Sequence, residues 1–470
     1  MNHKKQFFKF VIPSVVSMLV FNLYTMVDGI YVARFVGEHA LSAVNISMPY
    51  VNFIFAFSIL FSVGTSTVVA IFRGENNMKS ANETFTRNTI FLTVCALIIT
   101  LLALVFQNEL ALFLGVSEVT LPYVHDYLGV LIWFTFFFIV SYSMEVLVKT
   151  DGFPKLATAA VSVGAVTNIV MDYVLVVHVG MGIRGAAIAT GLSQVLTFTV
   201  FTIHFLGKRG TIHWCKTTMD LSVYKRIIPI GTADFITELS AGTIIFLFNH
   251  AILKHIGDNG VVTYTVITYI YNIVMMTFTG ISQGMQPLVS FYRGRREENT
   301  CRLFLRYALY STFAMSMLAL AICLFMTPAL VSIFIDASRA ELFTYTVHAF
   351  RIYSLCYLVL GYNIVCSGYF AAVEKSGYSF AISLLRGFVL YGLWESCFRV
   401  KESGMQRLYV KAVHWWSVYG VCCTARKRHR YMGNRHCNRY RKDLKVRKSL
   451  RTGYSKLTLQ YSKKTASYQL

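Results

Sequence analysis

Gly64-Thr-Ser-Thr-Val-Val-Ala-Ile-Phe-Arg73-Gly74 recurs 220 residues downstream as Gly284-Met-Gln-Pro-Leu-Val-Ser-Phe-Tyr-Arg293-Gly294. Gly37 and Gly257, flanked as Val-Gly-Glu and Ile-Gly-Asp, share that offset, and Ile12-Pro13 matches Ile228-Pro229 at an offset of 216. One matched glycine is coincidence, but an aligned set is a duplication. An offset that spans six membrane helices preserves direction through the bilayer, so the halves are parallel repeats about an axis along the membrane normal. Such halves leave a central cleft, and rocking one against the other exposes it alternately to the two sides.

The spans themselves follow from composition. Of 470 residues 55% are hydrophobic and 14% charged, with mean hydropathy +0.54, against roughly a quarter charged in soluble domains. A crossing helix needs about 20 apolar residues. Runs of that kind lie near 10–32, 46–72, 88–106, 127–148, 158–179, 185–206, 227–249, 261–289, 307–327 and 347–371, and an eleventh starts near Tyr378 and fails. The expected fold is therefore an all-α polytopic membrane protein with about 10–11 helices. The first run is too long for the apolar core of a signal peptide. The ten cysteines hold no C-x-x-C pair, which supports neither a disulfide framework nor zinc.

Basic residues alternate between loops. Those on the N-terminal side hold nineteen Lys and Arg, from Lys4 through Arg73, Lys149 and Arg226 to Lys375; the opposite side holds Arg34, Arg184, Lys254, Arg339 and Arg351. That bias places the N-terminus in the cytoplasm. Ionisable groups inside spans are costly and mark function by default. Asp28 lies late in the first span, Asp172 follows Asn168 at i, i+4 on one helix face, Glu238 lies in the seventh span and Glu145 near the end of the fourth. A carboxylate in such a place can take up a proton or bind sodium, removing buried charge. Pro13, fifteen residues before Asp28, removes a backbone hydrogen bond and offers a hinge.

Val27-Asp28-Gly29-Ile30-Tyr31-Val32, followed by Phe35-Val36-Gly37 and Leu41-Ser42-Ala43, resembles the first-span signature of multidrug and toxic compound extrusion (MATE) transporters. Asp151-Gly152-Phe153-Pro154-Lys155, Asn168 through Asp172, Gly182 through Thr190 and Gly280 through Pro287 extend the resemblance over residues 8–388. It implies two six-helix lobes, here 1–210 and 211–390, and an ion-coupled antiporter rather than an enzyme. Lipophilic or cationic small molecules would leave across a bacterial inner membrane against sodium or protons. No cofactor and no nucleic-acid partner is expected, and the protein would act as a monomer in the lipid bilayer. The resemblance places a cation site at Asp28, Asn168 and Asp172, with Thr190 as a further oxygen ligand and Tyr127 in its hydrogen-bond network. Glu238 resembles an acid of the second lobe that handles substrate or protons. A lipid-linked oligosaccharide flippase of the same superfamily is the competing function, and it calls for a basic cleft.

After Leu384-Leu385-Arg386-Gly387-Phe388 the pattern breaks. Residues 391–470 hold 19 of the 44 Lys and Arg and three of the 22 Asp and Glu, which is +16 of the +22 net charge. No apolar run near 20 residues survives there. A basic patch at 426–430 and Cys and His residues at 422–437 lack nucleic-acid or metal spacing. The expectation is a reading frame shifted near residue 390, a non-membrane tail, a second lobe short of its last helices, and a chain that is unstable or inactive as a transporter. A genuine basic tail that binds anionic lipid is the alternative.

Overall fold

The computed structural model describes residues 2–386, apart from 208, 219, 256–257 and 336–338. The calls on the tail and the missing last helices lie outside these residues. Among them the regular structure is entirely helical, because apolar runs in hydrocarbon must satisfy their backbone groups within the segment. The helices are α1 (His3–Phe35), α2 (Glu38–Gly74), α3 (Met78–Val105), α4 (Gln107–Phe113), α5 (Leu121–Leu131), α6 (Thr135–Thr150), α7 (Pro154–Asp172) and α8 (Gly182–Leu206) in the first half. The second half holds α9 (Tyr224–His255), α10 (Asp258–Gly294), α11 (Glu298–Phe325), α12 (Thr327–Ser332), α13 (Ala340–Ser354), α14 (Tyr357–Ala372) and α15 (Ser376–Leu384).

Eight helical stretches among the described residues are long and apolar enough to cross a membrane, and α13 and α14, bent by 42°, together make a ninth. The chain is thus a multi-span membrane protein. Leu101, Val105 and Phe113 in the first half and Tyr310 and Phe325 in the second are exposed, which suits faces solvated by lipid. Most helices begin several residues earlier than the apolar runs predict. α2 starts at Glu38 rather than near 46, because hydrogen bonding carries a helix through polar flanks that hydropathy ignores.

The duplication appears in the helix register. α2 and α10, each 37 residues, begin and end 220 positions apart, as do α3 and α11, each 28 residues. Even the left-handed turns correspond, at Asn76 (φ 60°) and Arg296 (φ 61°).

The halves meet where glycine lets backbones touch. A Cβ on Gly74 would strike the Phe291 carbonyl, and one on Gly294 the Ile71 carbonyl. The two contacts exchange under the 220-residue offset. Gly64 against Ile227 and Gly284 against Val11 are likewise equivalent, as are Gly231 against Leu60 and Gly280 against Val15. Small residues allow such close helix contact in membranes. Three reciprocal pairs therefore close the molecule along an approximate two-fold, at the end of the bundle where α1 and α9 begin.

A second device holds the segment joining the halves. Asp151, at the end of α6, is buried and accepts hydrogen bonds from Thr211 N (2.9 Å), Thr211 Oγ1 (2.9 Å) and Ile212 N (3.1 Å). His204 Nε2 stands 3.1 Å from Asp151 Oδ2, and Arg73 Nη2 lies 3.7 Å from Oδ1. Farther on, His213 N donates to Asn82, Cys215 N to Thr86 Oγ1, and Arg87 Nε to Thr217 Oγ1. Residues 211–217 are thus pinned to α3 and α6 of the first half.

Valine at Gly74 or Gly231 is expected to destabilise the purified protein by about 1–3 kcal/mol, the usual cost of overpacking. Alanine at Gly29, where a Cβ meets nothing within 4 Å, should leave the melting midpoint within error. Equal midpoints for all three variants would show that the glycine contacts do not hold the halves together.

Candidate functional site

Above the glycine contacts lies a cavity of about 280 Å³ lined by residues of both halves. The first half supplies an aromatic wall: Phe55 packs edge-on to Phe21, Phe138 and Tyr142 at centroid distances of 5.8, 5.7 and 6.1 Å. Four acids, Asp28, Glu145, Asp234 and Glu238, line the same space, with Arg386 as the basic group. Aromatic faces carry partial negative charge and attract cations, so wall and acids act in the same sense. The chamber is mostly greasy with an anionic bias.

Asp28 stands at the junction of this cavity with a drier cluster behind it. Asp28, Asn168 and Asp172 are 7%, 0% and 0% exposed. The two carboxyl groups lie within hydrogen-bonding reach of each other, and Tyr127 and Tyr24 are within electrostatic reach of Asp28. Asn168 Nδ2 donates to Thr190 Oγ1 at 3.3 Å, and Thr190 donates to the Ala186 carbonyl at 3.0 Å. That orientation commits the amide nitrogen and leaves Asn168 Oδ1 facing inward. No N–H or O–H donor among the described residues reaches Asn168 Oδ1, Asp28 Oδ1 or either oxygen of Asp172. α7 ends at Asp172 and passes into a π-helical turn over Tyr173–His178, a distortion that often marks functional positions.

Two unit charges ~4 Å apart repel by about 4 kcal/mol even at an effective dielectric of ~20. That is a large share of the ~5–15 kcal/mol by which a folded domain is stable. A proton or a cation shared between the oxygens of Asp28 and Asp172 would relieve that repulsion. An all-oxygen donor set suits a hard ion such as sodium. Among the described residues no three or more His, Cys, Asp or Glu side chains gather as a metal site.

Of the site residues expected from sequence, Asp28, Asn168, Asp172, Thr190 and Tyr127 therefore come together, and Glu238 stands in the cavity apart from them. Pro13 lies within an unbroken α1, and its carbonyl accepts from Thr158 Oγ1 at 2.7 Å. Glu145, read as a residue near the end of its span, is 7% exposed and faces the cavity. Lys149 corrects the loop tally: it is 2% exposed and its Nζ lies 2.7 Å from Glu145 Oε1. Eighteen basic residues, not nineteen, then remain on that side. The sequence reading passed over Asp234, one turn before Glu238, and Arg386, whose Nη2 donates to Thr237 Oγ1 at 2.7 Å. The i, i+4 spacings Glu145–Lys149 and Asp234–Glu238 were the available signals.

The family model described as MatE matches residues 13–174 and 236–391. Multidrug export protein MepA of Staphylococcus haemolyticus is 23% identical over 291 residues, which is 61% of this chain and 64% of that protein. The matched part thus spans less than two thirds of that relative's length. A crystal structure of a MATE protein in complex with MaL6 superposes with TM-score 0.86, at 21% identity over 91% of this chain and 96% of the other. An outward-facing conformation of a multidrug resistance MATE family transporter of the MOP superfamily gives 0.85, with the same identity and coverage.

Asp172→Asn puts an amide donor opposite Asp28 and relieves the facing charges. In sodium-free buffer it should raise the melting midpoint by about 2–4 °C, the shift that ~1 kcal/mol produces in a domain of ~150–250 residues. Any stabilisation of the parent by added sodium should vanish in the variant. A lower midpoint would mean that the two carboxylates do not oppose each other.

Proposed function

The chain belongs to the MATE family of membrane transporters, and from that premise we propose that it exports lipophilic organic cations in exchange for inward sodium or protons. The observation that carries this reading is the double membership of Asp28, which lines the cavity and also faces Asp172 in the buried cluster. A cation arriving between the two carboxylates draws Asp28 toward Asp172 and away from the cavity. An organic cation in the cavity competes for the same charge. Two ligands that compete for one carboxylate cannot both be held, which is the requirement of an exchanger.

The cation cluster in this reading comprises Asp28, Asn168 and Asp172, with Thr190 orienting the amide and Tyr127 beside Asp28. Glu238, joined by Asp234, handles substrate or protons in the second half. The halves, 1–210 and 211–390, act as lobes that rock about the glycine contacts, with Pro13 as a flexible point in α1. The charge asymmetry of the loops supports an N-terminus, and with it the closed end, in the cytoplasm of a bacterium; in this reading the protein works as a monomer in the inner membrane. The flippase reading is disfavoured, because a pyrophosphate would meet four acids against Arg386 in the cavity.

Purified protein in liposomes should accumulate ethidium when a sodium or pH gradient is imposed, and testing each gradient alone separates the two ions; no uptake under either gradient would favour the inactive product expected from the break near residue 390. Asp28→Asn should lower gradient-driven uptake at least tenfold, a loss equivalent to ~1.4 kcal/mol or more. Full uptake by Asp28→Asn under both gradients would place the exchange site elsewhere.

A further inference from the structure

Lys149 is a buried cation that export, as read above, does not use. It lies in the last turn of α6, 2% exposed, with Nζ 2.7 Å from Glu145 Oε1. Ser17 Oγ of α1 donates to the same oxygen at 3.1 Å. Across the midline, Nζ also reaches Gln283 Oε1 of α10 at 3.4 Å, while Gln283 Nε2 donates to the Tyr142 hydroxyl at 3.4 Å. Gln283 sits between Gly280 and Gly284, two of the glycines that close the molecule. The group is therefore the polar floor of the cavity, immediately above the contact between the halves.

Glu145 thus has two faces. One oxygen is held by Lys149 and Ser17 from below, and the side chain lines the chamber beside Tyr142 and Phe138. A buried acid beside an aromatic wall is a good seat for an organic cation. In this protein a cation already occupies it, tethered one helical turn away. We propose that Lys149 sets the specificity of the cavity as a built-in competitor: an organic cation takes Glu145 only by displacing the Lys149 ammonium.

This inference rests on the organic-cation reading of the cavity and adds an exchange step to it. Displacement has a mechanical consequence. The released ammonium has Gln283 as its remaining partner, so a cation in the chamber alters one of the two polar contacts that Gln283 of α10 makes with α6. Weakly charged or poorly stacking molecules cannot replace an ammonium held at salt-bridge distance, and they are rejected. The pair is worth little as a source of stability, since desolvating two charges offsets most of their attraction. Its value is selective.

The test is equilibrium binding of ethidium to the detergent-solubilised full chain at alkaline pH, read by fluorescence anisotropy. Lys149→Met keeps the length and helix preference of the side chain and removes the competitor. It should tighten binding about tenfold, equivalent to ~1.4 kcal/mol. Glu145→Gln should weaken binding, and in that background Lys149→Met should bring no gain. Lys149→Arg, which can grip the carboxylate with two parallel N–H bonds, should weaken binding severalfold and serves if the methionine variant does not fold. Unchanged or weaker binding by a folded Lys149→Met, or a gain that persists without Glu145, overturns the inference while leaving the export reading standing. Absence of binding to the parent and to Lys149→Met alike removes the organic-cation reading, and the inference with it.

Discussion

The close approach of backbone to backbone at the glycines governs the rest of the architecture. Gly74 and Gly294, with Gly64, Gly231, Gly280 and Gly284, let main chains of the two halves touch where any side chain would hold them apart. Because the contacts come in pairs exchanged by the repeat, closing one end of the bundle is a symmetric act. The chamber exists as the space left where the same helices diverge. In hydrocarbon, with no hydrophobic gain from burying one apolar helix against another, packing of this density is what association depends on.

Above that seam the protein confronts a second constraint, which is how to keep carboxylates where water is scarce. It uses three arrangements. Glu145 is neutralised by a lysine on its own helix. Asp234 lies within electrostatic reach of the Arg386 guanidinium. Asp28 Oδ1 and both oxygens of Asp172 find no donor among the described residues. The first is a closed ion pair, whereas Asp234 Oδ2 accepts no hydrogen bond among the described residues. In the third the facing oxygens lack a donor among the described residues, which sets it apart from the Glu145–Lys149 ion pair.

Much of this was legible in the residues. The offsets of 220 and 216, read from short matches, reappear as helix lengths, as the paired turns at Asn76 and Arg296, and as the reciprocal contacts between Gly74 and Gly294. Asp28, Asn168 and Asp172 announced themselves because ionisable and amide groups inside apolar runs have few structural excuses. Lys149 did not, because a lysine next to a span end reads as a loop charge; only the fold shows the last turn of α6 buried, with Lys149 against Glu145 and Gln283. Asp234 was hidden by its neighbour, since one acid in the seventh span already answered the search. Arg386 stands where the apolar pattern fails, and only the fold brings it to Thr237.

The hydrogen bonds of Asp151 bear on how the molecule is made. Its carboxylate closes on Thr211 and Ile212, and Asn82 and Thr86 secure the residues that follow, using only groups that emerge before α9. The joining segment up to residue 217 can therefore be fastened to the first half while the remainder is still being synthesised. A chain built by doubling a helical unit risks pairing its helices with the wrong copy during insertion. Fastening the joining segment early, to the copy already in the membrane, gives the second copy a fixed starting point and leaves one order in which the two can meet.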